Sequence, residues 1–263
     1  MEEKKKFKLV SSKKTRYLLP NILTLAGVCL GISSIKFAID GNFSLAVNLI
    51  LFAAILDALD GRIARLIKGT SEFGKELDSL TDFVSFGIAP VFILYFWELN
   101  NYGKLGWAIT LIYSVCCVLR LARFNLTKVS ETEDWKNNFF EGVPSPAGGL
   151  LILMPLIFDL TNLNIDIDIK KFTPYLTILI AILLVSKTPT LALKKISISP
   201  KATVFLLLGI GVVFIALLFY TLETLLIFGI GYLISIPISV IIFRNQNKKN
   251  LEKISEDSHE DIL

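Results

Sequence analysis

At 263 residues the chain has the length of one or two soluble domains, yet 53% of it is hydrophobic and its mean hydropathy is +0.63. Several uncharged stretches approach the roughly 20 residues that cross a bilayer, and residues 204–219 and 224–243 lack the polar outer face of a helix packed on a soluble core. A soluble protein is thereby excluded, and the net charge of +4 says little as an average because the basic residues are unevenly spread.

In chain order, residues 1–18 form a basic segment with seven Lys and Arg before residue 17. Phe7, Leu9 and Val10 among those lysines suit either an interfacial helix on anionic lipid or a purely topogenic segment. The apolar run that follows is too long for a signal-peptide core and lacks a clear small-residue cleavage site, so it reads as a first span. Spans are predicted at 19–39, 43–64, 78–97, 105–122, 145–160, 173–187, 202–220 and 222–243. The side that holds both termini then carries four Lys and Arg in each of 62–75, 120–136, 187–201 and 244–253, besides the first seven. Only Lys104, Lys170 and Lys171 fall opposite, with Lys36 near the end of the first span. By the positive-inside rule both termini are expected to be cytoplasmic, in a multi-pass protein of the cell (inner) membrane.

Trp97, Tyr102 and Trp107 surround the short 98–104 loop and suit an outer aromatic belt or local core packing. Cys29, Cys116 and Cys117 lie within spans at spacings that favour neither a disulfide framework nor a zinc site. Residues 244–263 are expected to be a solvated, disordered cytoplasmic tail; it holds the only histidine, His259. The expected architecture is all-α and polytopic, and no nucleic-acid partner is expected.

Charge is costly where four aspartates sit. Asp57 and Asp60 close the second apolar run, and Asp78 and Asp82 open the third. Spacings of three and four place each pair on one helix face, about 60° and about 40° apart around the axis. A carboxylate at membrane depth costs roughly 2.5–3.5 kcal/mol, so four would cost on the order of 10 kcal/mol unless cancelled. Two divalent cations would supply the missing charge, and oxygen-only ligands favour hard ions such as Mg²⁺ or Mn²⁺. Gly61, Ala64 and Gly74 lie four residues from an aspartate and leave room for close helix approach and a ligand. Two such ions with an arginine nearby suit phosphoryl transfer. Two other readings stand beside this one. Helix-end ion pairs, Asp57 with Arg65 or Asp78 with Lys75, would account for some of the four. An ion or metal transporter could line its pathway with the acids, although transport favours midplane acids and inverted repeats.

The pattern Asp57-x2-Asp60-Gly61-x2-Ala64-Arg65-x8-Gly74-x3-Asp78-x3-Asp82 resembles, without a departure, the signature of the CDP-alcohol phosphotransferases. Those enzymes replace CMP on a CDP-linked substrate with an alcohol. The resemblance implies a six-helix catalytic core, here 19–188, with residues 189–243 adding two further transmembrane helices, and usually a homodimer. It implies that Asp57, Asp60, Asp78 and Asp82 bind two divalent cations, Mn²⁺ or Mg²⁺, and that Asp82 is also the base for the acceptor hydroxyl. Asp60, Gly61, Arg65 and Ser71 would contact the CDP moiety. Pro20, Asn21 and Thr24 resemble the segment preceding the family's nucleotide site, which adds Asn21 and Thr24, although polar groups in membrane helices also bond to nearby backbone.

A narrower resemblance concerns the acceptor. Arg120-Leu-Ala122-Arg123-Phe124-Asn125 and Phe140-Glu-Gly142-Val-Pro144-Ser145-Pro146-Ala147-Gly148 are similar to segments of the bacterial and archaeal phosphatidylserine synthases. That likeness implies CDP-diacylglycerol and L-serine as substrates in a lipid membrane, with Arg120, Arg123, Asn125 and Ser145 at the serine site. An arginine suits the amino-acid carboxylate, and Asn125 or Ser145 can hydrogen-bond it. The alternative is that both arginines are cytoplasmic anchors. Glycerol 3-phosphate, inositol phosphate and choline are the alternative acceptors within the family.

Overall fold

The computed structural model describes residues 12–67, 69, 71–126, 139–161, 168–191 and 200–260. Helix α1 (Ser12–Ile39) turns at Gly41, whose φ of 79° is open to glycine, into α2 (Phe43–Leu66). Asn42 caps α2 by accepting the Leu45 amide at 3.2 Å. After a short loop, Ser71 caps α3 (Glu72–Asp82) in the same way, taking the Gly74 amide at 2.9 Å. The chain then runs without a break through a π-helical stretch, Phe83–Ile88, into α4 (Ala89–Trp97). Helix α5 spans Lys104–Leu126. Strand β1 (Phe139–Glu141) precedes α6 (Ser145–Ile152), α7 (Met154–Leu160) and α8 (Thr173–Val185). Strand β2 (Pro189–Leu191), α9 (Pro200–Phe219) and α10 (Thr221–Glu260) complete the described chain.

Among the described residues, five helices are long and apolar enough to cross a membrane: Leu18–Ile39, Phe43–Leu66, Glu72–Trp97, Lys104–Leu126 and Thr221–Asn247. The expected count of eight is therefore met only in part. The predicted span at 145–160 is interrupted at Leu153, because Pro155 has no amide to return to the Leu151 carbonyl. The span expected at 173–187 is a helix of 13 residues, and the apolar stretch Phe205–Phe219 is also short. Helix α10 runs to Glu260, past residue 244 where the tail is expected to begin. Residues 244–260 hold no Gly or Pro to stop a helix. Residues 1–11 and 261–263 of the terminal segments lie outside the described residues.

Small residues let the helices meet closely. A Cβ on Gly31 would lie 2.8 Å from Ser85 Oγ and 3.0 Å from Ser85 Cα, so α1 packs directly on the π-helical stretch. Ser85 Oγ donates to the Gly27 carbonyl at 3.2 Å across this contact. On the other side, a Cβ on Gly149 of α6 would lie 3.2 Å from Phe86 Cα. From α5, the buried Tyr113 donates to the Phe86 carbonyl at 3.0 Å. The core gathers around this stretch, with Ile50, Phe86, Ile93, Leu94, Ile152, Leu156, Ile180 and Leu184 fully buried. Helix α9, by contrast, is apolar and outward-facing: Phe205 is 78% exposed and Phe214 63%, as a lipid-facing helix would be. Trp107 packs edge-on against Phe92 and Tyr95 at the α4–α5 turn, and Lys170 lies 5.6 Å over Trp97.

The one departure from an all-α fold among the described residues is small. Strands β1 and β2 pair antiparallel, Phe140 opposite Thr190, and so tie the entry of α6 to the segment after α8.

Candidate active site

The two aspartate pairs meet. Asp57 and Asp60 lie in the last turns of α2, and Asp78 and Asp82 in the last turns of α3. Carboxylate oxygens of Asp57, Asp60 and Asp78 all lie within 4.8 Å of one another. Asp82 lies beside this group of three, near enough to Asp57 and Asp78 for their charges to interact. Thr24 of α1 donates to Asp60 Oδ2 at 2.5 Å, and its hydroxyl also lies 3.0 Å from the Pro20 carbonyl. This fixes the buried Asp60 side chain from the opposite helix.

The alternative of helix-end ion pairs is not what the side chains form. Lys75 pairs with Glu72 at 2.8 Å, and among the described residues no ion pair joins Asp57 to Arg65 or Asp78 to Lys75. The arginine that faces the acids is Arg120 of α5, whose charge acts on both Asp57 and Asp82. One guanidinium cannot offset the charge of four ionised carboxylates. Asp82 Oδ1 is also buried with no hydrogen-bond partner, an arrangement that is expensive unless something electropositive meets it. Four oxygen donors of this kind fit hard divalent cations.

Beside the acids, a cleft of about 260 Å³ opens between α1, α2 and the start of α3. Its walls include Asn21, Thr24, Asp60, Gly61, Arg65 and Ser71, every residue expected on the nucleotide side, together with Pro20, Ala64, Gly69, Gly74, Lys75 and Asp78. The motif's small residues create this space. A Cβ on Gly74 would come within 3.1 Å of Ser71 Oγ and 3.2 Å of Asn21 Oδ1, whereas one on Gly61 would meet nothing closer than Arg65 Nη2 at 4.0 Å. Ser71 uses one lone pair as the α3 cap, which leaves it acceptor and donor capacity toward the cleft.

The residues expected at the acceptor side divide. Arg120 Nη1 donates to Ser145 Oγ in a short contact; Ser145 is fully buried, and Arg120 Nε is buried without a partner. Arg123 instead donates to the Val185 and Ser186 carbonyls at 2.8 and 3.0 Å, satisfying the C-terminus of α8. Asn125 exchanges hydrogen bonds with Ser79 at 2.9 and 3.3 Å and ties the end of α5 to α3 beside Asp78. Two residues of β2 and α10 on this side carry no sequence signal of their own. Thr190 of β2 is buried, and Tyr232 of α10 lies close to both Thr190 and Arg120. Their nearness depends on the β1–β2 pairing and on α10 packing over it, neither of which a local motif reveals.

The profile of a family described as CDP-alcohol phosphatidyltransferase matches residues 17–241. The chain is similar to the CDP-diacylglycerol–serine O-phosphatidyltransferase of Helicobacter pylori (strain J99), 35% identical over 237 residues that cover 88% of this chain and 97% of that protein. Its likeness to the protein of the same name from Mycobacterium leprae is 37% over 229 residues, 85% of this chain and 74% of the relative. A shorter match, 42% over 107 residues, links it to the protein of that name from Methanocaldococcus jannaschii, covering 40% of this chain and 47% of the relative.

Proposed function

The chain belongs to the CDP-alcohol phosphatidyltransferase family, and we propose that it is a membrane phosphatidylserine synthase. It transfers the phosphatidyl group of CDP-diacylglycerol to the hydroxyl of L-serine, giving phosphatidylserine and CMP. The observation that carries this reading is one of position. A cluster of Asp57, Asp60 and Asp78, with Asp82 beside it, adjoins a cleft walled by the whole expected nucleotide set, while Arg120, hydrogen-bonded to Ser145, lies near enough to Asp82 for their charges to interact. Relatives that carry the serine transferase name match over most of the chain, which supports serine as the acceptor.

Asp57, Asp60, Asp78 and Asp82 would hold two divalent cations, Mn²⁺ or Mg²⁺, whose chemistry when bound is to neutralise the diphosphate and polarise its P–O bonds. Arg65 offers a guanidinium fork to a phosphate oxygen of the CDP group. Asn21, Thr24 and Ser71 offer hydrogen bonds to the nucleotide, and Gly61 and Ala64 keep the wall low enough for it to seat. Arg120 binds the serine carboxylate, with Ser145 holding the guanidinium in plane. Arg123 and Asn125 support this subsite from the rim through their bonds to α8 and α3.

Asp82 accepts the proton of the serine hydroxyl as that oxygen attacks the phosphorus bearing diacylglycerol. The new P–O bond forms as the bond to the bridging diphosphate oxygen breaks, and CMP leaves with that electron pair. None of the residues lining the cleft is as well placed to form a covalent intermediate, so the displacement is direct and inverts a chiral phosphate. The uneven distribution of Lys and Arg supports a cytoplasmic site with both termini on that side, reached by water-soluble serine and by lipid. The homodimer implied by the family is part of the same proposal.

The experiment that tests this reading measures CMP release by purified protein supplied with CDP-diacylglycerol, Mn²⁺ and a panel of alcohols. Serine-dependent release with inversion at phosphorus is expected. Release with another alcohol but not with serine would defeat the acceptor assignment, and retention would defeat direct displacement.

A further inference from the structure

The C-terminal end of α8 ties separate parts of the chain together. The last carbonyls of a helix have no partner within it and must find donors elsewhere. Helix α5 supplies two of them, since Arg123 donates to the Val185 and Ser186 carbonyls at 2.8 and 3.0 Å. The segment entering α6 supplies another, the Val143 amide, which donates to the Leu183 carbonyl at 3.3 Å. Arg120, three residues before Arg123, reaches across to Ser145, two residues beyond Val143. How the guanidinium meets the Ser145 hydroxyl is therefore set by how α5 and the 142–145 segment each dock on α8.

Gly142 is the joint of that segment. Its φ is 75°, and a Cβ there would lie 2.8 Å from the Ser186 carbonyl oxygen and 3.0 Å from that of Leu184, so a side chain is excluded. Its amide donates to the Thr188 carbonyl at 2.8 Å, which extends the pairing of β1 with β2. Its carbonyl has few local donors to choose from, because Pro144 and Pro146 bring no amide to the turn. The donor comes instead from 48 residues away: Thr190 Oγ1 of β2, at 2.8 Å. Both residues are buried, Thr190 to 2% exposure, so water does not replace this bond. Three residues after Gly142 stands Ser145, fully buried against Arg120.

We infer that Thr190 is a positioning residue for the acceptor subsite, acting through the Gly142 carbonyl on the placement of Ser145 and thereby on the plane of the Arg120 guanidinium. The inference rests on the phosphatidylserine-synthase reading, in which Arg120 binds the serine carboxylate. A guanidinium recognises a carboxylate through two parallel N–H donors, so a modest tilt of its plane loses one of them. Thr190→Val keeps the branched shape and removes the hydroxyl; Thr190→Ser keeps the hydroxyl and removes the methyl group.

The test is CMP-release kinetics of the full chain in lipid nanodiscs containing CDP-diacylglycerol and Mn²⁺, with the L-serine concentration varied. In Thr190→Val the KM for serine should rise about three- to tenfold, the loss expected for one hydrogen bond, while the KM for CDP-diacylglycerol holds. Thr190→Ser should stay close to wild type. In a Ser145→Ala background the valine substitution should add nothing further to the serine KM, because its route runs through Ser145. Thr190→Ala repeats the measurement without the added methyl group, so a poorly folded Thr190→Val leaves the test standing. An unchanged serine KM in the folded variant, or a rise that Thr190→Ser shares, would overturn the inference while leaving the transferase reading intact. Equal rises in both substrate KM values, or an undiminished effect in the Ser145→Ala background, would also overturn it, since either marks a role other than positioning Ser145. Wild-type protein that releases CMP with another alcohol but not with serine would overturn both.

Discussion

Removing one hydroxyl from Tyr113 should loosen the aspartate cluster without touching it. Tyr113 is fully buried, and its hydroxyl lies 3.0 Å from the Phe86 carbonyl. That carbonyl sits in the π-helical stretch starting directly after Asp82, and Pro90 cannot send it the amide that an α-helical ladder would supply. Tyr113→Phe keeps the ring, so no cavity opens, and the change isolates the hydrogen bond. A buried carbonyl left short of a partner costs about 1–2 kcal/mol, toward the lower end where polar groups in membrane proteins find other partners. For a chain of this size that corresponds to a melting temperature lower by about 2–8 °C. The last turn of α3 aims Asp82, so the same change should lower kcat about tenfold with little effect on the KM for CDP-diacylglycerol. Thermal unfolding in detergent by intrinsic fluorescence gives the first number and CMP release gives the second. A variant with both wild-type melting and wild-type kcat would refute the idea that Tyr113 holds the π-helical stretch in place.

Thr24→Val leaves Asp60 Oδ2 without its 2.5 Å donor, so the half-saturating Mn²⁺ concentration should rise about ten- to a hundredfold; metal-dependent CMP release after chelation and add-back would measure it. Arg120→Lys replaces a planar fork by a point charge, and the KM for serine should rise more than about tenfold at unchanged KM for CDP-diacylglycerol. Gly106→Ala would put a Cβ 1.8 Å from the Leu99 carbonyl oxygen, costing about 3 kcal/mol or more and showing as lost folded yield on size exclusion. Gly209→Ala on the outward-facing α9, where a Cβ would meet nothing within 4 Å, should stay within about 0.5 kcal/mol of wild type and serves as its control.

The carboxylate cluster was legible because its cost is local. Asp57, Asp60, Asp78 and Asp82 stand in apolar runs at helical spacing, so their need for a shared counter-charge is written in the chain itself. The residues that the family resemblance placed at the nucleotide, Asn21, Gly61, Arg65 and Ser71 among them, line one cleft because α1, α2 and α3 join through short turns and their neighbours in sequence remain neighbours in space. Legibility fell at the acceptor side. Arg120 and Arg123 look equivalent in sequence, three residues apart at the end of α5. One turns toward Asp82 and Ser145, whereas the other satisfies the carbonyls at the end of α8. Hydropathy also overstated the regularity of the 145–160 segment, because it counts apolar residues and is blind to the missing amide of Pro155.

The sequence by itself determined the membrane class and the clustering of the four acids at the ends of two apolar runs, because hydrophobic length and charge cost act residue by residue along one continuous helix. Only the tertiary structure decided which polar groups serve which partner. The π-helical turn after Asp82, the Tyr113 hydroxyl beneath it, the split between Arg120 and Arg123, and the bond from Thr190 to Gly142 all depend on elements far apart in the chain meeting. In a bilayer, buried polar groups must find partners within the protein, and which partner is within reach is a property of the packed helices.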